Sequence, residues 1–190
     1  MNLLLEKQQY LHDDASNVLK DILLPLLSEY GNVEVNGSYL YKLLYHPDID
    51  VYVINDDVTK QMYVDLSSEL LNLDSVSKLK TGDRVNFPHN NGGDRPTGYW
   101  ISPTIITDEF VWSCDIWLQK PAWVNPKIYR YDNILVNLPD EKRLSILTLK
   151  QELITAGRYG VGKDFESVNI YDAVLQNPDM NLDELRKLFE

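Results

Sequence analysis

Cysteine and histidine, two side chains that often bind transition metals, are scarce in this chain of 190 residues. One cysteine, Cys114, allows neither an intrachain disulfide nor a cysteine-rich zinc site. The three histidines, His12, His46 and His89, have no partner at the spacing of zinc ligands, which disfavours a histidine-based zinc site. A single cysteine is consistent with a reducing compartment, and we expect a cytoplasmic protein.

The chain also lacks a long apolar run. Its longest, residues 22–27, is far shorter than the roughly 20 residues required to span a bilayer. Residues 1–7 have neither the basic region nor the long apolar stretch of a signal peptide. We therefore expect no association with a membrane.

Basic residues are fewer than acidic ones, since 18 lysines and arginines against 29 aspartates and glutamates give a net charge of −11. Such a charge repels phosphate backbones at long range, so we expect no extended nucleic acid among the partners. Nine glycines and nine prolines are too few for a fibrous or low-complexity chain, and 44% hydrophobic residues are enough for a folded core.

The order of the sequence patterns predicts an α/β (α+β) fold, in which a short mixed sheet is flanked by helices and followed by a C-terminal helical segment. Apolar residues at helical spacing predict helices over residues 3–30, with a break near Pro25, 59–73, 140–156, 165–175 and 182–189. Runs rich in β-branched and aromatic residues predict strands over 33–37, 49–54, 99–106 and 111–118. Residues 75–87 are predicted to be extended, and the strongest turn signal lies at 89–94.

Gly37 and Ser38 stand at the predicted start of a short helix that follows the first strand. A glycine there lets a phosphate approach the backbone closely, and the first N–H groups of a helix are unpaired donors. The Ser38 hydroxyl can add a further hydrogen bond. Alternatively, Ser38 is only the N-cap of that helix.

Asp48 and Asp50 are two positions apart at the start of the next strand, so both side chains point to one face of the sheet. Two adjacent carboxylates repel each other unless a cation lies between them, and Mg²⁺ prefers such oxygens. Asp115 interrupts an apolar strand, where an unpaired charge is costly to bury. We therefore expect Asp115 to be the third ligand.

Other interpretations of these carboxylates stay open. Asp48 can belong to a turn before the strand, with Asp50 a solvated residue on a sheet edge. Asp115 can pair with a lysine or an arginine instead of a metal ion. Asp108 or Glu109 can supply the third carboxylate from a turn.

Residues 160–163, Gly-Val-Gly-Lys, have some likeness to a phosphate-binding loop. They lack the Walker spacing and the Ser or Thr after the lysine, so we expect a turn that ends a helix. Lys163 can still reach a triphosphate, as can Arg158.

The combined pattern of Gly37-Ser38, Asp48-x-Asp50 and a later strand aspartate, Asp115, resembles the nucleotidyltransferase superfamily. That superfamily includes DNA polymerase β, kanamycin nucleotidyltransferase and small bacterial nucleotidyltransferase domain proteins. The resemblance implies that residues 1–120 form a catalytic core with the N-terminal helix. It also implies that residues 121–190 form a helical segment that completes the pocket.

The resemblance further implies a transferase that moves a nucleoside monophosphate from an NTP such as ATP to an acceptor hydroxyl of a small molecule or a protein. The expected cofactor is Mg²⁺ or Mn²⁺, held by Asp48, Asp50 and Asp115, while Gly37, Ser38 and Lys163 contact the phosphates. The acceptor oxygen attacks the α-phosphorus in line and pyrophosphate leaves, with Asp115 also available as a general base.

Two functions of other classes compete with this one. A non-catalytic, antitoxin-type binding module of the same fold is disfavoured by the complete set of three carboxylates. A metal-dependent phosphohydrolase would use the same acidic cluster, but it needs further ligands that are usually histidines, and the chain has only three.

Overall fold

The computed structural model describes residues 2–88, 96–160 and 162–189, so the turn predicted at 89–94 lies outside the described residues. The strands are β1 (Asn32–Asn36), β2 (Asp48–Ile54), β3 (Val76–Asp83), β4 (Tyr99–Ile106) and β5 (Val111–Gln119). The helices are α1 (Leu3–Asn17), α2 (Leu24–Leu27), α3 (Gly37–Leu40), α4 (Lys60–Leu71), α5 (Asp132–Leu135), α6 (Asp140–Thr155), α7 (Ser167–Gln176) and α8 (Leu182–Phe189). No helix among the described residues has both the length and the apolar character needed to cross a bilayer.

The strands form one mixed sheet in the order β1-β2-β5-β4-β3. Strands β2 and β5 are parallel, and the other neighbouring pairs are antiparallel. The parallel pair at the centre requires the chain to cross over the sheet between β2 and β5. The predicted α/β fold with a short mixed sheet, flanking helices and C-terminal helices is therefore confirmed.

The main core lies on one face of this sheet. Ile49, Val51 and Val53 of β2 alternate with polar residues, and all three are fully buried. They pack in one cluster with residues of α1, α2 and α4 and of the π-helical turn at Val18–Leu23. That turn precedes Pro25, which has no N–H to donate, but the helix continues through Pro25 to Leu27, so the hydrogen-bond pattern changes there and the predicted break is wrong.

A second apolar cluster holds the C-terminal helices together. It includes residues of α5, α6, α7 and α8, and also Tyr41 and Leu43, which follow α3. Because Tyr41 and Leu43 come just before β2, this second cluster anchors the helical segment beside the polar face of the sheet.

Candidate active site

The three predicted carboxylates lie on the sheet face opposite the main core. Asp50 of β2 is paired in register with Asp115 of the parallel strand β5, and Asp48 precedes Asp50 by two residues. Since paired residues of neighbouring strands share a face, as do residues two apart, the side chains of Asp48, Asp50 and Asp115 point to the same side. The alternative that Asp50 lies on an edge strand is wrong, because β2 is bordered by β1 and β5.

These carboxylates carry more negative charge than their surroundings balance. Burial and, to a smaller extent, repulsion by Asp115 raise the pKa of Asp48 to about 6. Burial, with repulsion by Asp48 and Asp115, raises the pKa of Asp50 well above its usual range. A carboxyl group in such an environment is stabilised by a nearby cation.

Lys150 of α6 is the positive charge that partly offsets these carboxylates, since it lowers the pKa of both Asp48 and Asp50. Its side chain is buried, and its ammonium group donates hydrogen bonds to the Leu43 carbonyl at 2.9 Å and to the Tyr171 hydroxyl at 3.1 Å. Burial lowers the pKa of Lys150 itself. Sequence analysis missed Lys150, although its spacing from the buried residues Ile146 and Leu153 places a lysine on an apolar helical stripe.

Gly37 lies against Asp50 at the start of α3. Its φ of +70° is in the left-handed region, and a Cβ at this position would overlap the Asp50 carboxylate. The N-cap of α3 is Asn36, whose side chain accepts a hydrogen bond from the Gly37 N–H at 2.5 Å. The alternative that Ser38 is the N-cap is therefore wrong, because the extended strand continues to Asn36 and the helix starts one residue earlier than predicted.

A cavity of about 490 Å³ lies next to the carboxylates. Asn36, Gly37, Ser38, Asp48 and Asp50 line it from the sheet side. Residues that follow β5, among them Tyr131, Tyr159, Ser167 and Tyr171, line it from the helical side. The volume is within the range of small-ligand pockets.

Asp115 stands next to this cavity and is held by a tryptophan. The Trp100 indole N–H donates a hydrogen bond to the Asp115 carboxylate at 3.1 Å. Within the described residues no lysine or arginine forms an ion pair with Asp115, so the proposed alternative of a basic partner has no support there. Asp108 and Glu109 are exposed in the turn between β4 and β5.

The predicted glycine turn borders the cavity through Gly160, whereas its basic side chains do not line the cavity. Lys163 is exposed and is not among the described residues that line the cavity. Arg158 pairs with Asp164 at 2.6 Å. Gly160 has a φ of +119° and lines the cavity through its backbone, so this part of the chain is a turn, as predicted.

The surroundings of the two remaining candidate side chains, Cys114 and His46, indicate structural roles. Cys114 is a buried residue of the main core, as expected from its alternation with Asp115. His46 lies 3.8 Å from the Asp48 carboxylate, but burial lowers its pKa and so favours the neutral imidazole.

The donor set at this site suits a hard divalent cation. It consists of carboxylate oxygens, which are the ligands that Mg²⁺ and Mn²⁺ prefer. Burial, with mutual repulsion, raises the pKa of Asp48 and of Asp50, and a cation would offset both effects. In residues 2–88, 96–160 and 162–189, no group of three or more His, Cys, Asp or Glu side chains is already arranged as a metal site. The chemistry of these donors therefore fits a divalent metal ion.

The chain is similar in fold to several solved poly(A) and poly(U) polymerases. The chain is similar to the poly(A) polymerase in the GLD-2–GLD-3 complex, with a TM-score of 0.61, 15% identity, and coverage of 97% of this chain and 61% of that one. It is similar to a cytoplasmic RNA terminal U-transferase, with a TM-score of 0.61, 16% identity, and coverage of 90% and 53%. The Cid1 poly(U) polymerase bound to MgATP has a TM-score of 0.56 and 16% identity, with coverage of 92% and 50%.

The comparisons define the fold and correct one expectation. No protein-family model matches the chain, and no curated protein matches it significantly. The chain spans between 50% and 61% of the length of these three solved chains.

The exclusion of extended nucleic acid, drawn from the net charge, is wrong, because a protein with this fold is named for its action on RNA. The predicted resemblance is confirmed at the level of structure: this chain has the fold of the nucleotidyltransferase superfamily.

Proposed function

We propose that this protein transfers a nucleoside monophosphate from an NTP to an acceptor hydroxyl and releases pyrophosphate. The observation that carries this proposal is the placement of Asp48, Asp50 and Asp115 on one sheet face, beside a cavity of about 490 Å³. Burial, with repulsion among these carboxylates, raises the pKa of Asp48 and of Asp50, so a nearby cation would stabilise their charged form.

Asp48, Asp50 and Asp115 would hold Mg²⁺ or Mn²⁺. Such an ion polarises phosphoryl oxygens and lowers the pKa of an acceptor hydroxyl. Asp50 has room for its carboxylate because Gly37 carries no side chain, and Asp115 accepts a hydrogen bond from Trp100.

The cavity would hold the NTP, with its phosphates near Gly37 and Ser38. Lys150 adds a positive charge on the helical side of the carboxylates. In this proposal residues 1–120 are the catalytic core and residues 121–190 complete the pocket, since both segments supply lining residues. Lys163, which is exposed and does not line the cavity, would contact the phosphates from outside it.

The acceptor in this proposal is the 3′ hydroxyl of an RNA, since the fold is shared with a poly(A) polymerase and an RNA terminal U-transferase. The hydroxyl oxygen forms a bond to the α-phosphorus as the bond to the β-phosphate oxygen breaks. The proton of that hydroxyl passes to Asp115, and pyrophosphate leaves with the electron pair of the broken bond.

The test is transfer of label from each α-³²P NTP to a single-stranded RNA in the presence of Mg²⁺ or Mn²⁺. The wild-type protein should label the RNA, and Asp50→Asn and Asp115→Asn should not. Asp108→Asn is the matched control, because it makes the same chemical change in an exposed turn. No transfer by the wild type, or equal transfer by Asp50→Asn, would contradict the proposed function.

A further inference from the structure

The polar face of the sheet continues beyond Asp115 onto β4 and β3, on the side away from the cavity-lining strands β1 and β2. Trp117 of β5 is paired in register with Trp100 of β4, and both side chains are only partly buried. Trp100 also donates the hydrogen bond to Asp115. Two tryptophans that keep part of their rings accessible therefore adjoin the carboxylate that would receive the acceptor proton.

Basic side chains of the edge strand β3 border these tryptophans. Lys78 and Lys80 are exposed and are paired in register with Thr104 and Ser102 of β4. Ser102 is two residues from Trp100, so both lysines point to the same face as the tryptophans. A chain with a net charge of −11 thus has two exposed positive charges next to its candidate active site.

Arg84 brings a third positive charge to this face. A Cβ built on Gly82 would lie 3.3 Å from the Trp100 ring and 3.4 Å from the Arg84 Nε. The Arg84 and Trp100 side chains therefore both reach over Gly82, where a larger residue would crowd them. An arginine beside an aromatic ring is a common arrangement at sites that bind single-stranded nucleic acids.

The direction of the proposed reaction assigns the two sides of the carboxylates to different substrates. In-line attack requires the acceptor hydroxyl to approach the α-phosphorus from the side opposite the leaving pyrophosphate. If the triphosphate occupies the cavity on the Gly37 side, the acceptor lies on the Asp115 side. The tryptophans and lysines occupy that second side.

We propose that Lys78, Lys80, Trp100 and Trp117, here named the acceptor platform, bind the 3′-terminal nucleotides of a single-stranded RNA. Bases stack on the tryptophans, and the lysines contact the phosphates. This inference rests on the proposed function, because it assigns the acceptor to a surface beside the same carboxylates. Local positive charge on the platform explains how a strongly acidic chain can bind a polyanion.

The first test measures binding of a fluorescent 12-nucleotide single-stranded RNA by anisotropy, without NTP, over a range of salt concentrations. For the double variant Lys78→Gln/Lys80→Gln, the slope of log affinity against log salt should become shallower by about 1.4, since each single-strand phosphate contact contributes about 0.7. The control, Lys20→Gln/Lys187→Gln, removes two exposed lysines from helices and should keep the wild-type slope. Equal slopes in the two double variants would overturn the platform.

The second test addresses stacking. Trp117→Leu should weaken RNA binding roughly 5- to 100-fold, whereas Trp117→Phe, which keeps an aromatic ring, should retain most of the affinity. Both variants should bind Mg²⁺ with a non-hydrolysable NTP as the wild type does, and this measurement also shows that they are folded. Equal loss of RNA binding in Trp117→Leu and Trp117→Phe would contradict stacking.

Failure of the platform is distinguishable from failure of the proposed function. A wild-type protein that labels RNA in a manner that depends on Asp50, but whose RNA binding is unchanged in the platform variants, overturns the platform alone. If the wild type binds no RNA but transfers label to another acceptor in a manner that depends on Asp50, the platform and the RNA acceptor are both overturned while nucleotidyl transfer stands. RNA binding that weakens only in the platform variants supports the inference.

Discussion

Strands β2 and β5 have opposite chemistry on their two faces. On one face Ile49, Val51 and Ile116 are fully buried in the main core. On the other face, one residue away along each strand, lie Asp50 and Asp115, and burial, with repulsion by Asp48 and Asp115, raises the pKa of Asp50. The first face stabilises the fold, and the second lowers the stability of the metal-free protein. The fold and the site should therefore respond differently to mutation of neighbouring residues.

The largest effect is expected from Asp50→Asn on the site face. Nucleotidyl transfer should fall on the order of 10³-fold or more, because the substitution removes a charge that would hold the metal ion. The melting temperature in EDTA should stay the same or rise, since a source of repulsion is lost. Transfer rates and thermal unfolding of the same preparation test both statements, and a large drop in melting temperature would break the proposed separation of the two faces.

The matching change on the core face is Ile116→Ala. It should lower the free energy of unfolding by about 2–5 kcal/mol, because it leaves a cavity among fully buried residues. The transfer rate per folded molecule should stay near that of the wild type. Urea unfolding gives the first quantity, and an assay well below the unfolding midpoint gives the second. A specific loss of transfer in the fully folded variant would contradict the comparison.

Substitution of Gly37 by alanine tests whether the backbone beside Asp50 must lack a side chain, and the same substitution of Gly157 is the control. Both have a φ near +70°, but a Cβ on Gly37 would overlap the Asp50 carboxylate, whereas a Cβ on Gly157 would meet no atom within 4 Å. Alanine at either position should reduce stability by about 1–2 kcal/mol through the left-handed backbone. Only Gly37→Ala should also reduce transfer, by roughly tenfold or more. Similar activity of the two alanine variants would show that Asp50 tolerates displacement.

The smallest effect is a dependence of stability on pH. Since the pKa of Asp48 is raised to about 6, its protonated form stabilises the folded state. That contribution is complete below the ordinary pKa of about 3.9 and is lost as the pH rises through 6. Asp48→Asn should therefore be more stable than the wild type by about 1–2 kcal/mol at pH 7.5, after solvent screening is allowed for.

The same difference should shrink as the pH falls to 4, where Asp48 of the wild type is protonated. Urea unfolding in EDTA at several pH values measures it. A difference between Asp48→Asn and the wild type that does not vary with pH would show that the charge on Asp48 does not destabilise the fold.

The carboxylates were predictable because their signal is local. Period-two alternation places Asp48 and Asp50 on one face, and Asp115 is a charge within an apolar strand. Strands and long helices were also largely predictable, since β-branched runs and apolar stripes depend on near neighbours. Asn36 was missed as the N-cap because its extended conformation cannot be distinguished from that of the strand before it.

Lys150 and Trp100 were missed for another reason. Lys150 donates hydrogen bonds to Leu43 and Tyr171, and Trp100 donates one to Asp115, so each bond joins segments that are distant in sequence. Such contacts depend on the packing of α6 and α7 against the sheet and on strand register. The exclusion of nucleic acid failed because a net charge sums over the whole surface and hides local clusters.

The most direct test of the central claim is Mn²⁺ binding followed by electron paramagnetic resonance with a non-hydrolysable NTP present. The account predicts that the wild-type protein binds Mn²⁺ together with the nucleotide and that Asp50→Asn, although folded, loses this binding. Asp108→Asn should bind Mn²⁺ as the wild type does. Equal Mn²⁺ binding by the wild type and Asp50→Asn, or no binding by the wild type, would contradict a metal-dependent nucleotide site on this face of the sheet.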